Sequence, residues 1–373
     1  MTDPSLNRVI DKVAAAERLD LDDGMRLHAS HDIFTIGRLA DSVRRRMHGN
    51  VTYYNINRHI NYSNICVLSC KFCSFYRKAK DDGAYTFTIE QICEQAAQAA
   101  AAGATELHIV GGLHPKLKFD WYLQMLQALK AAFPQIHLKA FTAVEIVHFT
   151  RIARMPIREV LEHLRSAGLG SLPGGGAEVF DERVHEETFR GKIGEAKWMD
   201  VHREAHALGI RSNATMLYGH VESPEQRIMH LIKLRQLQDK SLSQRNASFQ
   251  TIIPLSFVPQ GSALSQLPGP TGLLDLKMLA IARLMLDNFP HVKAFWIMLG
   301  IELSQLALAF GVDDLDGTVV WYDITKRNGN THQEITTADL KRMICAAGGQ
   351  PVERDTLYET VVRDAAGARG VTN

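Results

Sequence analysis

Cys66, Cys70 and Cys73 are the residues of this sequence best suited to chemistry, because three thiols fall within eight positions in NICVLSCKFCSFYR. Soft thiolates suit iron-sulfur clusters, and a short loop can wrap three of them around one four-iron, four-sulfur cluster. An all-protein cluster takes a fourth cysteine, and here it is missing. An iron without a cysteine ligand can accept the amino and carboxylate groups of S-adenosylmethionine (SAM), setting its sulfonium beside a one-electron reductant. Three ligands are thus a functional number. Structural zinc is the alternative, but a closed zinc site wants four ligands. The remaining cysteines, Cys93 and Cys345, lie on predicted helices without paired spacing and are expected to pack as small hydrophobes. Five cysteines, an odd number, also argue against a disulfide framework.

The elements that must position this loop are legible in the hydrophobic pattern. Residues 5–47 carry apolar positions at helical spacing, at Val9, Ile10 and Val13 and again at Ile33, Ile36, Leu39 and Val43. From residue 51 onward strand-like runs alternate with amphipathic helices: VTYYNINRHINYS, TELHIVGG, IHLKAFTAV, LGSLPGGG, IRSNATMLYG, FQTIIPLSF and VKAFWIML. Thr88 with Gln91 reads as a capping box opening one of these helices, and Gly103 closes it. Seven strands, with an eighth near LDGTVVWY (315–322), predict a (β/α)8 TIM-type barrel with parallel strands. The expected division is an N-terminal helical segment (1–50), the barrel (51–325) and a short C-terminal helical extension and tail (326–373). SQRNAS (243–248) is expected to be a surface loop, and AAGARGVTN a frayed tail. The cysteines follow the first barrel strand, in the loops of the C-terminal face where barrels keep their active sites.

Composition narrows the partners. The chain of 373 residues is 46% hydrophobic and 22% charged, ample for a buried core. Forty-two Lys and Arg against 41 Asp and Glu give no field to gather nucleic acid or an anionic membrane. Asp3 and Arg8 interrupt any signal-peptide core, and no apolar run approaches membrane-spanning length, so a cytoplasmic protein acting on a small molecule is expected.

The CxxxCxxC spacing resembles that of the radical SAM superfamily. Most of residues 55–260 further resembles the aminofutalosine synthase family, through RHINYSNICVLSCKFCSFYR, ELHIVGGLHP, KAFTAVEI, GLGSLPGGGAEVFDERV and RSNATMLYGHVESPEQR. That resemblance implies a role in the futalosine route to menaquinone. The 5′-deoxyadenosyl radical from SAM would add to the enol-ether double bond of 3-[(1-carboxyvinyl)oxy]benzoate, followed by rearrangement and decarboxylation to aminodeoxyfutalosine. A [4Fe-4S] cluster, SAM as co-substrate and an electron donor such as flavodoxin or ferredoxin are implied with it. The nearest rival is cyclic dehypoxanthinyl futalosine synthase of the same pathway, which abstracts hydrogen instead. A non-catalytic iron-sulfur or zinc module is the rival from another class.

Other residues carry two readings each. Gly111 and Gly112 end the second strand, where bare backbone lets SAM approach or simply makes a tight turn. Glu178, in PGGGAE, and Glu145, after the third strand, suit the hydroxyls of a ribose or the N-terminal charge of a helix. Phe72, Phe75 and Tyr76 shield the cluster or pack against adenine. Strand alternation points Glu106, His108, Lys139, Arg211, Asn213 and Thr215 into the barrel, a polar lumen unlike the usual branched apolar filling. Asn213 and Thr215 are expected to face the cofactor. Lys139, Arg211 and His108 suit the two carboxylates of the implied substrate, or else form a structural network such as Glu106 with Arg211. His220 either donates to substrate or caps a loop. The cysteine reading predicts that Cys66→Ala, Cys70→Ala and Cys73→Ala each abolish SAM cleavage after reduction, whereas Cys93→Ala and Cys345→Ala keep it, assayed as methionine release.

Overall fold

Alternating polar and apolar residues at the centre of the chain build a ring of parallel strands wrapped by helices. The computed structural model describes residues 3–318 and 334–363. The strands are β1 (Val51–Tyr54), β2 (Asn57–Ile60), β3 (Glu106–Ile109), β4 (His137–Ala140), β5 (Ser212–Tyr218), β6 (Phe249–Ser256), β7 (His291–Ala294), β8 (Asp314–Leu315) and β9 (Gln350–Glu353). Hydrogen bonding orders them β2-β3-β4 and β5-β6-β7-β8-β1-β9. The expected strand in LGSLPGGG is reduced to two parallel bridges, Lys139 to Ser171 and Leu172 to Ser212, which join β4 to β5.

β1 and β2 are one barrel strand broken at Asn55–Ile56. The ring closes there: the Thr318 amide donates to the Asn55 carbonyl at 3.3 Å, and the Thr318 hydroxyl donates to the Asn57 carbonyl at 3.1 Å. Gly317 makes this closure possible, since a Cβ on it would collide with the Asn55 carbonyl. VKAFWIML, read as strand throughout, is β7 followed by a short helix, Trp296–Leu299. SQRNAS begins inside the helix Pro224–Gln244, and the chain leaves it at Arg245 in the left-handed conformation. The 325/326 boundary, the end of LDGTVVWY and the C-terminal tail lie outside the described residues.

The expected caps form. Thr88 and Gln91 make the capping box of Ile89–Ala101, and Gly103 follows at φ +79°. The N-terminal helices Asn7–Ala14, Leu21–Ala29 and Ile33–His48 lie on the outer layer of the barrel, the last two packing on Pro224–Gln244 and Gly272–Met285. Gly24 lets two helices meet, because a Cβ there would lie 2.6 Å from Ile228 Cγ2. Arg235 locks the contact by donating to the carbonyls of Leu19 and Met285 at 2.9 and 2.8 Å.

The C-terminal extension closes the floor. β9 pairs in parallel with β1, and the following turn buries Arg354, whose guanidinium meets Asp314 at 2.7 Å. The Tyr358 hydroxyl donates to the same carboxylate, and its ring stacks on His291 at 3.6 Å. Removing one partner of a buried ion pair strands the other charge, at a cost of about 3–5 kcal/mol. Arg354→Met is therefore expected to lower the urea midpoint strongly, with the double variant Arg354→Met/Asp314→Asn recovering part of the loss.

Candidate active site

The loop from Asn61 to Phe87 carries the cysteines and is stitched to the barrel mouth by backbone bonds. The Cys66 amide donates to the Arg77 carbonyl at 3.0 Å and the Val67 amide to the Leu113 carbonyl at 3.0 Å. Lys78 donates to the carbonyls of Cys66, Val67 and Leu68 at 3.0, 3.2 and 2.8 Å, drawing three consecutive groups around one ammonium. On the far side, the Lys71 amide donates to the Thr188 carbonyl at 2.7 Å.

Gly111 and Gly112 form the bed of this loop. A Cβ on Gly111 would lie 2.6 Å from the Tyr62 ring, and one on Gly112 would strike the Ile65 carbonyl and reach Cys66 Cβ at 3.0 Å. Glu145 braces the same turn from beneath. One carboxylate oxygen accepts from the Tyr62 hydroxyl at 2.7 Å and the Gly111 amide at 3.1 Å, and the other accepts from the Thr142 amide and hydroxyl, both at 2.8 Å. Burial pushes this carboxyl up to about 7 against the pull of those donors.

Cys66, Cys70 and Cys73 open onto one large cavity, with Phe72, Tyr76, Gly111, Gly112, Glu145, Pro173 to Gly176 and Glu178 around its mouth. Its lower wall carries His59, His108, Lys139, Asn213, Thr215, Lys293 and Asp316. Its volume is about 270 Å³. Burial pushes the Cys70 thiol up to about 11 and raises Cys73.

The thiols fit a cluster better than a single ion. Zn–S bonds of about 2.3 Å put the sulfurs of a tetrahedral site about 3.8 Å apart. Among the described residues, the groups whose ligand atoms all lie within 4.8 Å of one another are His48–His291–Asp313 and Asp20–Asp22–Asp23; the cysteine triplet is wider. The first of these groups is already a structural network, since Asp313 is held by Arg283 and by His291 at 2.6 Å.

Comparison with known proteins agrees with this geometry. Residues 60–234 match the model of the radical SAM superfamily, and residues 246–366 that of the CofH/MqnC C-terminal region. Aminodeoxyfutalosine synthase of Thermus thermophilus is 44% identical over 96% of this chain and 96% of its own. The chain belongs to the aminodeoxyfutalosine synthase family of radical SAM enzymes. Identity falls to 36%, over 91% of this chain and 94% of the other, for the 5-amino-6-(D-ribitylamino)uracil–L-tyrosine 4-hydroxyphenyl transferase of Methanopyrus kandleri. Methylornithine synthase shares the fold, with a TM-score of 0.74 at 18% identity over 91% of this chain and 96% of that one. As a radical SAM enzyme the chain works with SAM and an iron-sulfur cluster. No helix among the described residues is long and apolar enough to cross a membrane.

For this synthase family member, the structure gathers most of the expected residues and corrects several. Arg211 is exposed at the opposite end of β5 and donates to the Leu357 carbonyl at 3.1 Å, outside the cavity. Alternation identified its face of the strand but not its height, and seven residues of strand separate it from the mouth. The expected Glu106–Arg211 network is instead Glu106 with Lys139, at 2.5 Å. Burial would raise Glu106, but Lys139, Lys293 and Arg354 together hold it well below the usual carboxylate range. His220 does not line the cavity; its ring contacts the Leu217 carbonyl at 3.1 Å and Glu222 at 3.1 Å, which makes it a loop cap.

Glu145 serves as the N-cap partner described above, the helix-charge reading. Glu178, at φ +49°, is ion-paired to Lys192, whose ammonium also lies 5.0 Å from the Phe72 ring. The Thr215 hydroxyl donates to the Gly174 carbonyl at 2.7 Å and shapes the glycine loop. Cys93 is partly buried on its helix, but Cys345 is exposed and does not pack as a hydrophobe.

Sequence reasoning missed His59, Lys192, Lys293 and Asp316. The first and third were within reach, because NRHI and HVKA alternate just as IHLKA does. Lys192 lies in an irregular loop that no periodicity marks. The packing of the glycine bed predicts that Gly112→Ala displaces the Cys66 segment and lowers iron and sulfide per chain after anaerobic reconstitution, with the far-UV circular dichroism unchanged.

Proposed function

We propose that this enzyme joins the 5′-deoxyadenosyl group of SAM to 3-[(1-carboxyvinyl)oxy]benzoate, with rearrangement and decarboxylation, to give aminodeoxyfutalosine in menaquinone biosynthesis. The observation that carries the reading is the 44% identity to an aminodeoxyfutalosine synthase along nearly the whole of both chains. A single cavity lined by the three cysteines and by charged groups supports it.

In this reading Cys66, Cys70 and Cys73 hold a [4Fe-4S] cluster, which when bound supplies the electron that splits SAM. Gly111 and Gly112 present bare backbone to the methionine part, and Tyr76, Phe72, Asn213 and Thr215 line the path of the nucleoside. Glu178 with Lys192 offers a fixed charge pair at the mouth for ribose hydroxyls or the methionine carboxylate. His108 and Lys139, lower in the lumen, face the substrate. The barrel walls hold the alkene against C5′ and exclude competing hydrogen donors, for which a near-attack separation is about 3–3.5 Å. Val67 is 49% exposed beside Cys66, so an electron donor such as flavodoxin or ferredoxin has access to the edge of the loop in a cytoplasmic setting.

Family members that abstract hydrogen release 5′-deoxyadenosine, whereas an adding enzyme does not. With SAM isotopically labelled in its adenosyl group and saturating substrate, the label is expected in a product of the mass of aminodeoxyfutalosine. Label leaving almost wholly as free 5′-deoxyadenosine would overturn the synthase reading in favour of cyclic dehypoxanthinyl futalosine synthase chemistry.

A further inference from the structure

The fixed charges of the lumen are already neutralised. Among the described residues, the cations lining the cavity are Lys139, Lys192 and Lys293. Lys139 has Glu106 at 2.5 Å, Lys293 has Asp316 at 3.0 Å, and Lys192 has Glu178. One layer down, Arg354 has Asp314 at 2.7 Å. Each positive charge thus has a carboxylate of its own, and none is held in reserve. A carboxylate entering such a lumen loses its hydration and must gain a cation in return.

Two groups there are able to become cationic. His59 and His108 sit opposite each other on β2 and β3, with Lys139 next in the same row on β4. Their rings stack at 4.3 Å, 24° from parallel, and both line the cavity. The charged groups facing them are Lys139 from β4, Glu106 from β3, Lys293 from β7 and Asp316 from the end of β8, the last with Oδ2 at 3.9 Å from His59 Nε2. Phe295 covers His59 at 6.2 Å between centroids. Burial, with the neighbouring cations, holds His59 at about 4 and His108 well below its ordinary value, so both are neutral before a ligand arrives.

We infer that the stacked His59–His108 pair is the adjustable charge of the site: it takes up one proton as a substrate carboxylate enters and supplies the cation that the fixed pairs do not. The inference rests on the dicarboxylate reading proposed above and assigns a position to one of the two carboxylates. A carboxylate against the pair favours the imidazolium, so the pair's proton affinity rises on binding. Proton uptake then occurs at any pH between the free and bound values, and affinity falls about tenfold per pH unit across that window, levelling off above the bound value.

The test uses anaerobic, cluster-reconstituted enzyme carrying SAM but no reductant, titrated calorimetrically with the unreactive analogue 3-(1-carboxyethoxy)benzoate at pH 7.5. Running it in phosphate and in Tris separates the heat of buffer ionisation from that of binding. Uptake close to one proton per ligand is expected, largely lost in His108→Gln and in His59→Gln. Titration with 3-ethoxybenzoate and with 2-phenoxypropanoate assigns the effect to the aryl or the side-chain carboxylate. Binding of the dicarboxylate to the unmodified enzyme with a buffer-independent heat would overturn the inference, whereas failure of the analogue to bind at all would count against the synthase reading on which it rests.

Discussion

The structure turns on burying ions inside a barrel. A lumen filled with Val, Ile and Leu would be the simpler way to hold eight parallel strands together, and it would leave no room for a reaction. Here the row running across β2, β3 and β4 places His59, His108 and Lys139 where branched side chains would stand. Desolvating Glu106, Asp314 and Asp316 is tolerable only because Lys139, Arg354 and Lys293 meet them at hydrogen-bond distance. The pairs keep the lumen open and polar, and they fix its height by occupying the lower layer.

That requirement explains the C-terminal extension. Without β9 and the turn that follows, the floor would be open to water and Asp314 would lose both Arg354 and the Tyr358 hydroxyl. The extension acts as a plug that carries its own counter-charge. The N-terminal helices do the corresponding work outside, covering the apolar faces of Pro224–Gln244 and Gly272–Met285 through the close approach at Gly24.

At the other end of the barrel the constraint is backbone space. The cysteine loop comes down onto Gly111 and Gly112, and the glycine loop Pro173–Gly176 rests on β5, where a Cβ on Gly174 would lie 2.6 Å from the Ala214 backbone. Glu145 ties the first of these to the helix it caps. A mouth assembled from loops is thereby held by close backbone approach and one buried carboxylate.

The residues that carry chemistry and the repeating strand-helix pattern were determined by the sequence alone, because thiol spacing and hydrophobic periodicity are local properties. The cysteine triplet, the capping boxes and the polar face of each strand all follow from neighbours a few positions apart. Tertiary structure alone decided how high along its strand each polar residue stands: Lys139 enters the site while Arg211, on the same type of face, falls at the opposite end. It also decided partners, giving Glu106 to Lys139 and Glu145 to a helix cap, and it brought in Lys192 from a loop with no pattern to read. The physical reason is that a strand's alternation specifies direction but not register around the ring. Register is set by closure, through Gly317 and Thr318 against Asn55 and Asn57, between residues more than two hundred and fifty positions apart.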